Sequence, residues 1–232
     1  MEKIVVANHK MYFDSLKSVN EYIEKMKEYK DKFIVAPSNL YLKLYTDAGF
    51  NVSAQNVYAK DSGAYTGQTS AKAAKDLGAK YTLIGHSETR SYLKEDEELI
   101  NGKVKNAVKN GLTVFLCIGE SQKTKDEGKT KQFLKKQLDV NLKDVDDLSN
   151  IYISYEPIWS IGGVPPTNEE IDDIASYIKS LFKHDVHVLY GGGVNEKSIT
   201  KLEEIPNIDG YLIGGAGTDP EKLIKILEVT QK

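Results

Sequence analysis

The chain has 232 residues, enough for one large domain or two small ones and for a full core without disulfides. Cys117 is the only cysteine, which excludes an internal disulfide and fits a reducing compartment. The net charge of -3 indicates neither a nucleic acid nor a lipid partner. Strand-sized apolar runs and the lack of a signal-peptide pattern in residues 1–10 predict a cytoplasmic protein without membrane contact.

Short runs rich in strand-forming residues recur along the chain, each followed by a longer segment with helical spacing. The runs are Ile4–Lys10, Phe33–Ser38, Asn51–Val57, Tyr81–Ser87, Thr113–Glu120, Ile151–Pro157, His187–Gly193 and Gly210–Ala216. The segments Leu16–Tyr29 and Glu169–Phe182 place apolar residues on one helical face.

The order of these elements predicts an α/β protein with a parallel sheet. Runs such as Val114–Ile118 are almost continuously apolar, as in parallel strands covered on both faces. Eight strand–helix units in succession favour a closed (β/α)8 barrel, with residues 1–232 forming a single domain. An open doubly wound sheet is the alternative.

Polar side chains follow several predicted strands at their carboxyl ends, where barrels of this type carry their reactive groups. Asn8 and Lys10 share one face of the first strand by its period of two, so His9 should pack against the helices. Lys10 alone could be a snorkelling surface residue, but His86 and Glu156 end other strands at the same rim. Glu156 is therefore the candidate general base.

Glycines dominate the turns after the last two predicted strands, at Gly191–Gly193 and Gly214–Gly217. Asp219 and Pro220 then provide an N-cap and a first helical residue. Two such turns beside a helix start are typical of a phosphate site, although glycines can also serve tight turns alone. The chain has no GxGxxG or GxxxxGK[ST] motif, so neither a dinucleotide nor a nucleoside triphosphate is expected.

The segment after Glu156 has the composition of a lid that closes over a ligand, with prolines at both ends and glycines in the middle. An ordinary connection is about equally compatible with this composition. The segment comprises Pro157, Ile158, Trp159, Ser160, Ile161, Gly162, Gly163, Val164, Pro165 and Pro166.

A series of motifs resembles one family, triosephosphate isomerase. The motifs are Asn8-x-Lys10-Met11, Ala54-Gln55-Asn56, Gly63–Gly67, Ile84–Arg90, Cys117–Glu120, Tyr155–Gly162, Tyr190–Gly193 and Leu212–Ala216. They stand in the family's order, span nearly the whole chain and include every catalytic position. The resemblance implies a TIM barrel and an aldose–ketose isomerase of glycolysis and gluconeogenesis, with no cofactor and no metal.

The resemblance also implies a reaction, in which dihydroxyacetone phosphate and D-glyceraldehyde 3-phosphate interconvert through an enediolate. Glu156 would be the base and neutral His86 the electrophile, a pairing that is the family's established mechanism. Asn8 and Lys10 would stabilise charge on oxygen, with Glu88 as an inner acid paired with Lys10. The phosphate would bind backbone N–H groups of Gly162, Gly193, Gly214 and Gly215.

The chain departs from the family pattern chiefly in the lid. Gly163, Val164 and Pro165 stand where threonine, glycine and lysine are usual, and Pro165 and Pro166 occupy the second hinge. Because proline fixes φ, we expect a stiffer hinge and altered closure or phosphate affinity, with the chemistry retained. His9 replaces a tryptophan and should have little effect on catalysis.

A second departure concerns the subunit contact that the resemblance implies. Gln68 and Thr89 replace a glutamate and an arginine that pair across the family's dimer interface, so no unpaired charge remains. The loop Asn56–Gln68, with Thr66, would still insert into a neighbouring subunit. A homodimer is expected, with Thr66, Gln68, Gln55 and Asn56 at its interface.

Other residues have simpler interpretations. Cys117 is expected to be an inert buried thiol, and His184 and His187 lack a third ligand for a metal. The lysine-rich segment Lys123–Lys136 is interpreted as a solvated helix face. Two rival functions remain: an isomerase of a four-carbon ketose phosphate, and a catalytically silent barrel that binds a phosphorylated ligand.

Overall fold

Eight parallel strands close into a barrel in a computed structural model of the protein, which describes residues 2–145, 147–160 and 163–231. The strands are β1 Ile4–Asn8, β2 Ile34–Ala36, β3 Asn51–Ala54, β4 Tyr81–Ile84, β5 Thr113–Ile118, β6 Ile151–Tyr155, β7 Val188–Tyr190 and β8 Gly210–Ile213. β8 closes on β1, where Val6 lies opposite both Leu212 and Ile34. The predicted (β/α)8 barrel is therefore confirmed, and the open doubly wound sheet is wrong.

Helices connect the strands around the outside of the barrel. They are α1 Leu16–Met26, α2 Leu42–Asp47, α3 Ala71–Asp76, α4 Ser87–Tyr92, α5 Glu97–Lys109, α6 Gln122–Asp126, α7 Thr130–Asn141, α8 Asn168–Ser180, α9 Ile199–Leu202 and α10 Pro220–Thr230. As predicted, the Asp219 side chain caps α10 and Pro220 is its first residue. No helix in the described ranges is both long and apolar enough to cross a membrane.

Alternation along the strands divides the core into two layers. The inner layer fills the barrel with Val6, Ile34, Ala36, Leu83, Phe115, Cys117, Leu189 and Leu212. The larger outer layer lies between strands and helices, and Val5 and Ala7 of β1 belong to it. Burial, with Glu156 nearby, raises the pKa of the Cys117 thiol, so this residue stays protonated inside the barrel.

Several strands end before the polar residues that the sequence had placed in them. β1 ends at Asn8, and Lys10 has a φ of 48° instead of an extended conformation. β4 ends at Ile84, where Gly85 turns the chain with a φ of 73°. The predicted longer strands are wrong because these rim residues leave the sheet and bond to side chains.

Candidate active site

A cavity of about 250 Å³ lies at the carboxyl ends of β1, β4, β6, β7 and β8. It brings together most of the predicted site residues: Asn8, Lys10, His86, Glu156, Gly193, Gly214 and Gly215. Glu88 lines an adjoining cavity that shares Asn8, Lys10 and His86. Ile161 and Gly162 lie outside the described residues.

Glu156 follows β6 and is almost completely buried, with 2% of its surface exposed. Its Oε2 accepts the backbone N–H of Ser87 at 3.4 Å. Its Oε1 has no hydrogen-bond partner among the described residues and lies 3.6 Å from Nε2 of His86. A Cβ atom at Gly191 would come within 2.7 Å of the Glu156 Cγ, so only glycine leaves room for this side chain. One oxygen is thus held while the other is free to take a proton.

The His86 ring sits at the N-terminus of α4, where its hydrogen bonding fixes the tautomer. Nδ1 accepts the backbone N–H of Glu88 at 3.2 Å, so this nitrogen carries no proton. The Glu88 Oε2 is 3.7 Å from Nδ1, too far for a hydrogen bond. In the neutral ring the proton is therefore on Nε2, which faces the Glu156 side of the cavity as a donor.

Lys10 is fixed at both its backbone and its side chain. Its N–H donates to Asn8 Oδ1 at 3.0 Å, and its carbonyl accepts from Gln55 Nε2 at 2.8 Å. Its ammonium bonds Glu88 Oε1 at 2.7 Å and would lie 3.7 Å from a Cβ at Gly214. The left-handed backbone thus places a cation beside a glycine turn, and the Asn8 amide group remains as a donor for a ligand.

His9 points away from the cavity, as strand alternation predicted. Its ring is 1% exposed and packs among Phe13, Tyr22 and Tyr45, with centroids 4.5 to 5.6 Å apart. Burial lowers the pKa of His9 to about 3, although the Gly217 carbonyl acts in the opposite direction. Tyr22 donates its hydroxyl to that carbonyl at 2.7 Å. This aromatic cluster therefore supports the back of the turn after β8.

The two glycine turns line the same cavity, with Gly214 beside Lys10 and Gly191 beside Glu156. Gly193 has a φ of 38°, and Gly215 begins a 3-10 turn that runs to Thr218. No atom lies within 4 Å of where a Cβ would stand at Gly193 or Gly215, so both backbones are open to a ligand. Backbone N–H groups at such turns are suited to a phosphate group.

The described part of the predicted lid begins with a 3-10 turn at Ile158–Ser160. The Trp159 indole N–H donates to Glu120 Oε1 at 2.8 Å, and the Tyr155 hydroxyl donates to the same oxygen at 3.1 Å. Val164 is 80% exposed farther along the segment. The start of the segment is therefore anchored to a buried carboxylate.

Sequence reasoning missed several residues that hold the site together. Ser87 binds the base, Glu120 anchors Trp159, and Gln55 braces Lys10. Arg90 donates to the carbonyl of Gly85 at 2.6 Å and to that of Cys117 at 3.1 Å, tying the ends of β4 and β5. These residues lie within recognised motifs, but no spacing rule pointed to such bracing.

The residues expected at a dimer interface differ in their surroundings. Thr66 and Gln68 are exposed, whereas the side chains of Gln55 and Asn56 make hydrogen bonds within the chain. Nearby, three large apolar side chains line the rim of the adjoining cavity of about 720 Å³. They are Met11, Leu40 and Leu93, which are 89%, 87% and 64% exposed.

Comparison with known proteins gives one consistent result. Residues 3–230 match the family model described as triosephosphate isomerase. A triosephosphate isomerase of Mycoplasmopsis agalactiae is 36% identical, with 97% of this chain and 95% of the relative covered. The triosephosphate isomerase of Thermodesulfovibrio yellowstonii is 35% identical, with 98% of this chain and 99% of the relative covered. That of Saccharomyces cerevisiae is 36% identical, with 89% of this chain and 90% of the relative covered. The match over almost the entire chain places this protein in the triosephosphate isomerase family.

Proposed function

We propose that the protein is a triosephosphate isomerase that interconverts dihydroxyacetone phosphate and D-glyceraldehyde 3-phosphate through an enediolate, without a cofactor. The observation that carries this proposal is the buried, unpartnered Glu156 Oε1 facing the His86 Nε2 donor in one cavity. Membership of the family supports the same reaction.

The first step removes a proton from the carbon next to the substrate carbonyl, with Glu156 as base. The Ser87 N–H holds Oε2, so Oε1 is the oxygen that accepts the proton. Burial keeps competing water away from the carboxylate. The hydroxyl proton of the enediolate must also pass from one substrate oxygen to the other, and His86 Nε2 would relay it by donating its own proton to one oxygen and taking the proton of the other. The Glu156 carboxyl group then returns the first proton to the neighbouring carbon, which completes the exchange between ketose and aldose.

Negative charge develops on the substrate oxygens as the proton leaves. The His86 Nε2–H, the Asn8 amide and the Lys10 ammonium would donate to these oxygens, and they are already held in place by the protein. Glu88 orients Lys10 through their ion pair. Such prepositioned donors stabilise the enediolate more than mobile water does.

The phosphate group would bind beside the glycine turns that follow β7 and β8. Gly193, Gly214 and Gly215 would supply backbone N–H groups, with Gly162 as a further donor. The open space beside Gly193 and Gly215 supports this position, as does the Lys10 ammonium beside Gly214. Residues 157–166 would act as the lid over the bound substrate, with Pro165 and Pro166 making its second hinge stiffer than usual.

A coupled assay with glyceraldehyde 3-phosphate tests the proposal directly. We expect rapid, saturable isomerisation by the purified protein without added metal or cofactor. A four-carbon ketose phosphate should be turned over much more slowly. Faster turnover of the four-carbon substrate would indicate an isomerase of a related sugar phosphate. Binding of inorganic phosphate without turnover of either substrate would indicate a silent barrel.

We further propose a cytoplasmic homodimer in which each chain is one catalytic domain. The exposed Met11, Leu40 and Leu93 support a dimer interface beside the loop that carries Thr66 and Gln68, since large apolar patches mark interaction sites.

Sedimentation at micromolar concentration should give twice the chain mass of 25.9 kDa. Met11→Glu combined with Leu40→Glu should shift the protein toward monomer, because each change would bury an unpaired charge at the interface. Leu16→Glu is the matched control, since Leu16 is also exposed but lies on α1. An active monomeric wild type would reject the proposed dimer.

A further inference from the structure

Lys125 on α6 contacts Trp159 near the start of the proposed lid and Glu170 on α8, shortly after the lid ends. Its ammonium lies 3.4 Å from the centroid of the Trp159 ring and 3.2 Å from Glu170 Oε1. About a third of its side chain is exposed, so the contacts are partly shielded from water. The sequence suggested a solvated position for this lysine, but the structure places it between Trp159 and the first turn of α8.

Two different interactions hold the Trp159 ring, one at its edge and one on its face. Glu120 accepts its indole N–H at the ring edge, at 2.8 Å, while Lys125 covers the ring face. A hydrogen bond fixes the direction of the N–H, and a cation over the face resists rotation about that direction. Together they fix the ring, which lies three residues after Glu156.

Glu170 connects Lys125 to the other end of the lid. Thr167 and Glu170 form a capping box at the start of α8, in which Glu170 Oε2 accepts the Thr167 N–H at 2.9 Å. The remaining Oε1 atom bonds Lys125. One carboxylate therefore fixes the chain entering α8 and ties it to α6.

A cavity of about 290 Å³ lies behind Trp159, lined by Lys125, Glu120, Pro166 and Glu170 among others. Open space on this side means that packing alone does not hold the indole ring there. The polar contacts from Glu120 and Lys125 therefore contribute to restraining it.

We propose that Lys125 is a positioning residue of the isomerase, which orients Trp159 and joins the two ends of the lid so that it closes over bound phosphate. The inference rests on the proposed function. Lys125 contacts neither Glu156 nor His86, so its removal should weaken substrate binding more than it slows the proton transfers. The role requires a cation of suitable reach, which arginine also supplies.

Kinetics and the fluorescence of Trp159, the only tryptophan in the chain, test this role together. Lys125→Met should raise KM and lower kcat/KM by about fivefold to thirtyfold, with a smaller change in kcat. It should also increase acrylamide quenching of Trp159 and weaken binding of inorganic phosphate. Lys125→Arg should keep most of the wild-type kcat/KM and most of the wild-type protection of Trp159 from quenching.

Lys131→Met is the matched control, because Lys131 lines the same cavity but pairs with Asp173 at 2.7 Å. Unchanged kcat/KM in Lys125→Met, with or without altered quenching, would overturn the positioning role. A wild type without isomerase activity would instead reject the proposed function, and the two failures are therefore distinguishable.

Discussion

Shortening Glu156 to aspartate should lower kcat by about two to three orders of magnitude, because a shift of about 1 Å in a catalytic group can cost about a hundredfold. The Glu156 Cγ lies against Gly191 and its Oε2 accepts the Ser87 N–H, so both atoms have fixed neighbours. The shorter aspartate side chain cannot place its carboxylate oxygens at the positions that those of Glu156 occupy. The groups proposed to bind phosphate do not contact this carboxylate, and their affinity should change little.

Steady-state kinetics and competitive inhibition by inorganic phosphate measure these two effects separately. Glu169→Asp is the matched control, because Glu169 is exposed at the start of α8 and should give wild-type rates. Glu156→Gln should lose more activity than Glu156→Asp, since an amide cannot accept the proton. Turnover close to wild type in either Glu156 variant would show that another group is the base.

Most strands were predictable because they combine β-forming residues with an apolar run long enough for one buried strand. The run Val114–Ile118 lies within β5, and the Leu16–Tyr29 helix appears as α1 with a short 3-10 turn after it. The strand ends were less predictable. Lys10 leaves the extended conformation because Asn8 and Gln55 bind its backbone, and Gln55 lies 45 residues away in the sequence.

The site residues were predictable to the extent that they carry reactive groups at strand ends. Asn8, Lys10, His86 and Glu156 satisfy that rule, and they do line one cavity. The contacts that hold these residues in place were not predictable from that rule, because a backbone N–H such as that of Ser87 has no sequence signature. Lys125 illustrates the same limit: a lysine on a charged helix has the sequence pattern of a solvated residue, and only the packing of α6 against Trp159 reveals its contact.

His9 should make the protein sensitive to mild acid, an effect separate from catalysis. Burial lowers the pKa of His9 from 6.5 to about 3 in the folded state. At a pH between these two values, His9 is therefore protonated in the unfolded chain and neutral in the folded chain. Stability therefore falls as pH drops below 6.5, by about 1.4 kcal/mol for each pH unit. The expected loss from this residue alone is roughly 2 kcal/mol at pH 5.

Urea unfolding at pH 5 and pH 7, at one fixed protein concentration, measures this dependence. His9→Phe keeps an aromatic ring among Phe13, Tyr22 and Tyr45 but cannot take up a proton, so its loss of stability between the two pH values should be about 2 kcal/mol smaller. The variant also removes the 3.3 Å contact between the Tyr45 hydroxyl and Nδ1, which lowers stability equally at both pH values and leaves the difference intact.

The exposed His184 provides the control, because His184→Gln should retain the full pH dependence of the wild type. Both variants keep all carboxylates, so acid effects from those groups cancel in the comparison. Equal pH dependence in wild type and His9→Phe would show that His9 takes up its proton without unfolding, and that the aromatic cluster behind the β8 turn tolerates a charge.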